Sequence, residues 1–262
     1  MSVSRDLVCR GVLAAALVLV AAGCGQQVRS ASPAPVASSA VPVSRAATPT
    51  RAAAQPVNFD AANAGLPAGV AVPPPGTDQL VTVLVAGPGS TTGTLQGWQR
   101  TGVGWSSAVA PVTVRVGTQG VGPTHEGMNR TPVGTFGLPS AFGRQANPGT
   151  RMPYRQVGDS DWWVSDPNSP QYNTYQHCAP GTCPFDEKDG ENLGRVGTSY
   201  DYAVVIGYNI APVRPGAGSA FFVHVDAGIP SEGCVETPRN SVVALLKWLD
   251  PSRRPVITIG YR

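Results

Sequence analysis

The stretch that decides the fold is FFVHVDAGIPSEGCV, residues 221–235. Its first five residues are apolar except for one histidine, a pattern that predicts a strand ending near His224. Gly228 and Pro230 predict a turn, after which the chain returns to Cys234. An imidazole and a thiol that meet across such a turn form the pair that cysteine nucleophiles require, because the base accepts the thiol proton and the imidazolium stabilises the thiolate.

Two further expectations concern the surroundings of this pair. Side chains alternate along a strand, so His224 shares a face with Phe222 and lies opposite to Val223. Gly233 gives the backbone room for a tight turn and leaves the amides around Cys234 free to point at a developing oxyanion. A second interpretation stays open, in which Cys234 is a buried structural thiol and His224 is a hydrogen-bonded core residue.

The N-terminus has the composition of an export signal. Arg5 and Arg10 precede an apolar run over residues 12–22, which is too short to span a bilayer as a mature helix. Small residues directly before Cys24 resemble a bacterial lipobox, so residues 1–23 are a predicted lipoprotein signal peptide and Cys24 is the predicted lipidation site. A plain secretory signal with an incidental cysteine is the alternative. The lipobox interpretation places the protein in the cell envelope, anchored by lipid to the extracytoplasmic face of the membrane.

The region after the signal has the composition of a linker. Residues 30–56 are mainly Ala, Pro, Ser, Thr and Val with scattered Arg, and such a segment cannot bury a core. Residues 24–57 are therefore a predicted tether, and residues 58–262 are a predicted single domain.

The composition of the whole chain favours a β protein. Charged residues make up 13% of it, with 31 Gly and 26 Pro, which suits a loop-rich β fold better than a helical bundle. Apolar runs at 80–86, 111–117, 202–208, 220–225 and 255–260 predict strands. The formal net charge is +3 without a concentrated Lys/Arg cluster, which argues against nucleic-acid binding.

One helix is predicted near the C-terminus. Thr237 is its expected N-cap, Pro238 its first residue, and Pro251 follows its end. Its apolar stripe at helical spacing consists of Val242, Leu245, Leu246 and Leu249. The sequence thus predicts a mainly β domain with a C-terminal helix.

The cysteines of the predicted domain divide into a pair and a single thiol. Cys178 and Cys183 are separated by Ala-Pro-Gly-Thr, which turns the chain back on itself, and in an oxidising compartment they are expected to form a disulfide. A tetrahedral zinc set of His177 with Cys178, Cys183 and Cys234 is the alternative. The pair lies in residues 152–195, a long aromatic and Pro-rich segment without periodicity, which is typical of a lid or a binding wall.

Residues 231–235, preceded by a strand that ends in His224, resemble the catalytic signature of L,D-transpeptidases of the YkuD type. The upstream segment GMNRTPVGTF, residues 127–136, is similar to the family's TP-x-G-x-F element. The closing helix and strand, residues 241–260, also fit the family's layout. The resemblance covers roughly residues 80–262 and implies a β-sandwich with a C-terminal helix.

The resemblance also implies a reaction and roles for site residues. The family's cysteine attacks a carbonyl of a peptidoglycan stem peptide, releases D-alanine, and passes the acyl group to an amine of a second stem, which gives a 3–3 cross-link without a cofactor or metal. Carried over by position, Cys234 is the nucleophile, His224 the base and the Val225 carbonyl its partner, while the amides of Gly233 and Cys234 form the oxyanion hole. Ser231 is expected to orient the turn and, with the residue after it, to contact substrate.

Three departures from the family pattern bear on the substrate. Glu232 stands where most members have a second histidine, the interval from His224 to Cys234 is shorter than usual, and Glu236 replaces the Asn or Arg often found there. Chemistry at the thiol survives these changes, but they alter how a stem peptide would be held. L,D-carboxypeptidase or endopeptidase action, or a non-catalytic envelope-binding lipoprotein, are the alternatives.

Overall fold

The computed structural model of the protein describes residues 63–262. The predicted signal peptide, the predicted tether with Cys24, and residues 58–62 of the predicted domain lie outside the described residues. Within residues 63–262, no helix is long and apolar enough to cross a membrane.

The described chain is mainly β with one α-helix close to its C-terminus, as the sequence predicted. The helix α1 spans Arg239–Trp248, and short 3₁₀ helices span Glu187–Asp189, Thr198–Asp201 and Pro251–Arg253. The strands are β1 (Gln79–Val85), β2 (Thr92–Thr101), β3 (Gly104–Arg115), β4 (Val121–Gly122), β5 (Thr131–Pro132), β6 (Gly134–Gly137), β7 (Ala141–Gly143), β8 (Tyr154–Gln156), β9 (Asp161–Val164), β10 (Tyr175–His177), β11 (Gly190–Asn192), β12 (Ala203–Val205), β13 (Phe222–Val225), β14 (Val235–Thr237) and β15 (Val256–Tyr261).

Ten of these strands form one sheet in the order β6-β15-β1-β2-β3-β14-β13-β12-β7-β8. Its two halves meet between β3 and β14, where the register consists of the single pair Arg115 and Glu236. Three neighbouring pairs are parallel, namely β1 with β15, β13 with β14 and β7 with β8, and the other pairs of the sheet are antiparallel. This arrangement is consistent with a β-sandwich of the YkuD type.

The main hydrophobic core contains residues from both halves of the sheet and from α1. It takes alternate residues from β1, β12, β13 and β15, and the four residues of the predicted helical stripe are all fully buried in it. Burying four such aliphatic side chains contributes on the order of 6–12 kcal/mol to the folded state, before the entropy of ordering them is subtracted. The helix is therefore held by its apolar face.

The start of α1 differs by one residue from the prediction. Thr237 pairs with Val225 as the last residue of β14, so its backbone is extended. Pro238 then takes the N-cap position with ψ 142°, and the helix begins at Arg239. The hydrogen bonds between β13 and β14 hold Thr237 in the sheet, so Thr237 does not serve as the N-cap that the sequence predicted.

The segment 152–195 covers the outer face of the second half of the sheet. It contributes strands β9, β10 and β11, which form a separate three-stranded sheet. Val157, Trp163 and Leu193 from this segment pack with Phe222 of β13 in a second apolar cluster, and Cys234 belongs to the same cluster. The segment thus builds the wall against which the predicted site lies.

Candidate active site

The strand β13 presents the predicted base on the outer face of the sheet. Phe222 packs in the outer cluster and Val223 in the main core, and the ring of His224 contacts the ring of Tyr200 at 5.2 Å between centroids. The alternation expected from the sequence is therefore present. Cys234 comes one residue before β14, whose first residue Val235 pairs with Val223, so the thiol lies beside Phe222.

Two backbone groups hold the sulfur of Cys234. The amide of Phe222 donates to Sγ at 3.4 Å, and Sγ lies 3.3 Å from the carbonyl oxygen of Ala220, to which the thiol donates. Cys234 is the free cysteine of the described residues and is 9% exposed. The thiol is thus nearly buried, with one edge on the cleft.

Two hydroxyl groups shape the turn that carries the thiol. Ser231 Oγ donates to the carbonyl of Cys234 at 2.6 Å and accepts from the amide of Gly233 at 3.0 Å. Thr131 Oγ1 donates to the carbonyl of Gly233 at 2.7 Å and accepts from the amide of Gly117 at 2.9 Å. Thr131 belongs to the upstream TP element, so the two sequence motifs meet through this hydroxyl.

Gly233 has a conformation that other residues rarely adopt. Its φ is +148°, and a Cβ atom there would lie 2.7 Å from a ring carbon of Phe221. Its amide is engaged by Ser231 and does not point freely into the cleft, contrary to the sequence prediction. The amide of Cys234 has no hydrogen-bond partner within residues 63–262, and it is the donor that remains for an oxyanion.

His224 is oriented by its own backbone neighbour. Its Nδ1 lies 2.9 Å from the carbonyl oxygen of Val225, which can only accept, so Nδ1 carries the proton and Nε2 is the free basic nitrogen. Burial lowers the pKa of His224, while the bond to Val225 and the charge of Asp226 act in the opposite direction. The resting ring is therefore a neutral imidazole whose proton acceptor faces away from Val225.

The imidazole and the thiol do not hydrogen-bond to each other in this structure. The hydrogen bonds of Sγ go to Phe222 and Ala220, and the cross-strand partner of His224 is Glu236 rather than Cys234. Because Cys234 lies beside Phe222, His224 is two residues farther along β13, a rise of about 7 Å. The direct contact expected from the sequence is therefore absent from this structure, and hydrogen bonds between catalytic side chains are often long or poorly aligned before substrate binds.

A cleft of about 450 Å³ joins these groups, and its acidic lining consists of Glu126, Glu191, Glu232 and Glu236. Burial raises the pKa of the Cys234 thiol well above its usual range, and the charges of three of these glutamates raise it further. The resting thiol is therefore protonated.

Two of the glutamates have perturbed pKa values for related reasons. Burial raises the pKa of Glu191 to about 7; a hydrogen bond from Tyr200 (2.6 Å) opposes this shift, and the charges of Glu232 and Glu126 add to it. Burial also raises the pKa of Glu236 to about 7, helped by the charge of Asp226. Its Oε1 lies 3.9 Å from Nε2 of His224, so the free nitrogen of the base faces a carboxyl group.

The residues assigned to the turn do not all lie at the same depth. Ser231 is buried beside Cys234, whereas Glu232 is exposed at the rim of the cleft. Sequence reasoning missed Glu126 and Glu191 as parts of the site. Glu191 lies in the aperiodic segment, and no local pattern indicated that β11 would carry it to the cleft.

The predicted pair of cysteines forms a disulfide, Cys178 to Cys183. Its sulfur atoms are bonded to each other, so the zinc set considered from the sequence is not formed. Among residues 63–262, no group of three or more His, Cys, Asp or Glu side chains has the arrangement of a metal site.

Comparison with known proteins agrees with this geometry. The family model of the L,D-transpeptidase catalytic domain, YkuD, matches residues 94–258, which is more than half of the chain and includes Thr131, His224 and Cys234. No curated protein and no solved structure shows significant similarity to the chain. On the strength of the family match, which spans the two motifs and the strands that carry them, the chain belongs to the L,D-transpeptidase catalytic-domain (YkuD) family.

Proposed function

We propose that this chain is an exported cysteine acyltransferase that acts on peptidoglycan stem peptides by L,D-transpeptidation and makes 3–3 cross-links. The family supports transpeptidase-type chemistry in general. The observation that carries the finer proposal is the free thiol of Cys234 on the same cleft as His224, whose Nδ1 is fixed by Val225 so that Nε2 is the available base.

The first half-reaction forms the acyl-enzyme. His224 Nε2 takes the proton of Cys234 as Sγ attacks the substrate carbonyl, since burial keeps the resting thiol protonated. The carbonyl oxygen gains negative charge and is stabilised by the amide of Cys234. The C–N bond then breaks, and the imidazolium returns the proton to the leaving amine of D-alanine, which leaves a thioester on Cys234.

The second half-reaction transfers the acyl group. An amine of a second stem peptide attacks the thioester, His224 takes a proton from it, and the sulfur leaves and regains its proton. If water enters in place of the amine, the same steps give L,D-carboxypeptidase or endopeptidase action. Glu232 lies at the rim, where the family usually has histidine. We expect this residue to have the largest effect on the ratio of acyl transfer to hydrolysis.

A second candidate function is a non-catalytic, envelope-binding lipoprotein. It is favoured by the raised pKa of Cys234 and by the absence of a hydrogen bond between the thiol and His224 among the described residues. It predicts binding to peptidoglycan that survives Cys234→Ala, together with an unreactive thiol.

The location is part of the proposal. Residues 1–23 act as a lipoprotein signal peptide, Cys24 carries the lipid, and residues 24–57 hold the domain away from the membrane. Metabolic labelling of the full chain with a fatty-acid probe, compared with Cys24→Ala, tests this part independently of the chemistry. Equal labelling of both proteins would contradict it.

Mass spectrometry of the full chain with a disaccharide-tetrapeptide tests the catalytic part. We expect a transient adduct on the Cys234 peptide, release of D-alanine and a cross-linked product. Cys234→Ala should abolish all three, whereas Cys178→Ala/Cys183→Ala should retain the adduct. Equal turnover by Cys234→Ala, or no adduct and no product with the native chain, would refute the mechanism.

A further inference from the structure

A buried asparagine two residues before β10 is linked to the proposed nucleophile through one alanine. Asn173 is 3% exposed, and its side chain forms hydrogen bonds with both of its polar atoms. Oδ1 accepts from the amide of Ala220 at 3.2 Å and from Nε1 of Trp163 at 2.8 Å. Nδ2 donates to the carbonyl oxygens of Tyr208 and Asn209 at 3.1 and 2.9 Å. These four hydrogen bonds fix the position of the Ala220 amide.

Ala220 has a backbone conformation that alanine rarely adopts. Its φ is +56°, in the left-handed region, where Cβ lies too close to the following carbonyl oxygen. Alanine populates this region about tenfold less than the right-handed one. Such strain persists only where the surrounding structure enforces it, and it is concentrated at functional sites. Here the hydrogen bond from the Ala220 amide to Asn173 enforces it.

The carbonyl of this strained residue binds the thiol. It accepts from Sγ of Cys234 at 3.3 Å, while the amide of Phe222 donates to the same sulfur at 3.4 Å. The sulfur therefore lies at the start of β13, and its proton points to the Ala220 carbonyl. His224 follows two residues after Phe222 on the strand and does not receive this proton in the structure.

The Ala220 carbonyl affects the thiol in two ways. A carbonyl oxygen only accepts, so it stabilises the protonated thiol and not the thiolate, which acts on the pKa of Cys234 in the same direction as burial. It also competes with Nε2 of His224, because a thiol has one proton to donate. Transfer of this proton to His224 therefore requires that the hydrogen bond to Ala220 be broken.

We propose that Asn173 is a positioning residue for Cys234, which holds the Ala220 carbonyl against the thiol and keeps the thiol protonated and turned away from the base until substrate binds. This role rests on the proposed function in taking Cys234 as the nucleophile and His224 as its base. Asn173 is not among the residues that line the cleft, so it acts through Ala220. The strain at Ala220 lowers the free energy needed to release the thiol, so bound substrate can shift the sulfur toward the base.

The test measures how fast Cys234 reacts with iodoacetamide, an uncharged reagent from which the thiolate sulfur displaces iodide. The full chain is treated at pH 8.5 without substrate, and the rate at the Cys234 peptide is followed by mass spectrometry. In Asn173→Gly we expect the rate to rise by about tenfold, because glycine keeps the left-handed backbone of residue 173 while Ala220 leaves the region that alanine rarely populates. The thiol then loses the acceptor that favours its protonated form.

A second glycine should suppress this effect. Glycine populates left-handed and right-handed regions about equally, so in Asn173→Gly/Ala220→Gly the carbonyl stays at the sulfur about half of the time and the rate should rise only about twofold. Ala220→Gly alone should react no faster than the native chain. If Asn173 had a structural role only, each added glycine would loosen the cleft, and the double variant would react faster than either single variant.

Asn209→Gly is the matched control. Asn209 is also left-handed, with a φ of +53°, and its side chain also holds a loop, but its hydrogen bonds go to Arg214 and Gly218. Its replacement should leave the alkylation rate of Cys234 unchanged. Circular dichroism of each variant confirms folding.

The titratable groups around the thiol are the same in all of these variants. Four carboxyl groups, one tyrosine and the proposed base line the cleft with Cys234, namely Glu126, Glu191, Glu232, Glu236, Tyr200 and His224. Burial raises the pKa of Glu191 and Glu236 to about 7 and lowers that of His224, so at pH 8.5 these three groups have lost their protons. Differences in rate between the variants therefore report the contact with Ala220.

An Asn173→Gly rate equal to the native rate, an equal rise in Asn209→Gly, or a double variant that reacts as fast as Asn173→Gly would overturn the proposal. Should Asn173→Gly fail to fold, a rate above the native one in Ala220→Gly would overturn it, and an equal or lower rate would support it. Since no acyl transfer is involved, the expected pattern of rates without any acyl-enzyme would refute the proposed function and leave the control of the thiol by Asn173 standing.

Discussion

The hydroxyl of Thr131 connects the two motifs of the family, and removing it should show how much this connection contributes to the free energy of unfolding. Thr131 is fully buried, and both hydrogen bonds of its hydroxyl, to Gly117 and Gly233, are to backbone groups. Thr131→Val keeps the shape of the side chain but leaves one buried N–H and one buried C=O without a partner. At about 1–3 kcal/mol for each unsatisfied group, the free energy of unfolding should fall by about 2–6 kcal/mol.

The assay is equilibrium unfolding in urea under non-reducing conditions, with linear extrapolation to water. Thr131→Ser is the matched control, because it keeps the hydroxyl and loses a methyl group, for which about 1 kcal/mol is expected. The Val variant should also lose acyl-enzyme formation, since Gly233 directly precedes Cys234, the proposed nucleophile. A Val variant as stable as the Ser variant would refute the claim that this hydroxyl holds the turn.

Three further outcomes are expected. Folding raises the pKa of Glu236 from 4.5 to about 7, so the native state binds more protons between these values and its stability falls as pH rises through this window. Glu236→Gln should reduce the slope of the stability profile in urea titrations at pH 4.5 to 8 and leave the share of Glu191, whose pKa is also raised to about 7. An unchanged profile would contradict the assignment. Gly233→Ala should abolish acyl-enzyme formation in the mass-spectrometric assay, because its φ is +148° and the new Cβ would lie 2.7 Å from Phe221; full activity would show that the turn can adapt. Replacing Cys178 and Cys183 by alanine should lower the free energy of unfolding by about 2 kcal/mol, the loop-entropy value for a ring of this size; equal stability of the oxidised native chain and the double variant would contradict it.

The sequence predicted four strands of the large sheet and the helix that packs on them, but not β7, β9 and β14, which are also buried along their whole length. β1, β12, β13 and β15 coincide with apolar runs, and α1 with the stripe of leucine and valine. It did not predict β2 or most of β3, because these long strands are half exposed and rich in Gly, Thr, Ser and Gln. Their pairing with β1 and with each other holds them in the sheet, which a local pattern cannot show.

The motifs in the sequence named the candidate site residues, but the contacts between them differ from those expected. Val225 is the partner of His224 as the family resemblance implied, because that contact is local. The neighbour of the free imidazole nitrogen is Glu236, and this follows only from the parallel register of β13 and β14. Glu191 reaches the cleft through a small separate sheet and left no periodic signal in the sequence.

The parallel pairing of β13 and β14 has a consequence for how this site can change. Parallel neighbours require the chain to return over the face of the sheet, and here that return consists of residues 226–234, between Val225 and Val235. Its middle, Ala227 to Ile229, is exposed, while both ends are pinned to strands. We therefore expect residues 227–229 to tolerate substitutions or insertions that suit a new substrate. The sulfur of Cys234, its backbone contacts and the core beneath should keep their positions.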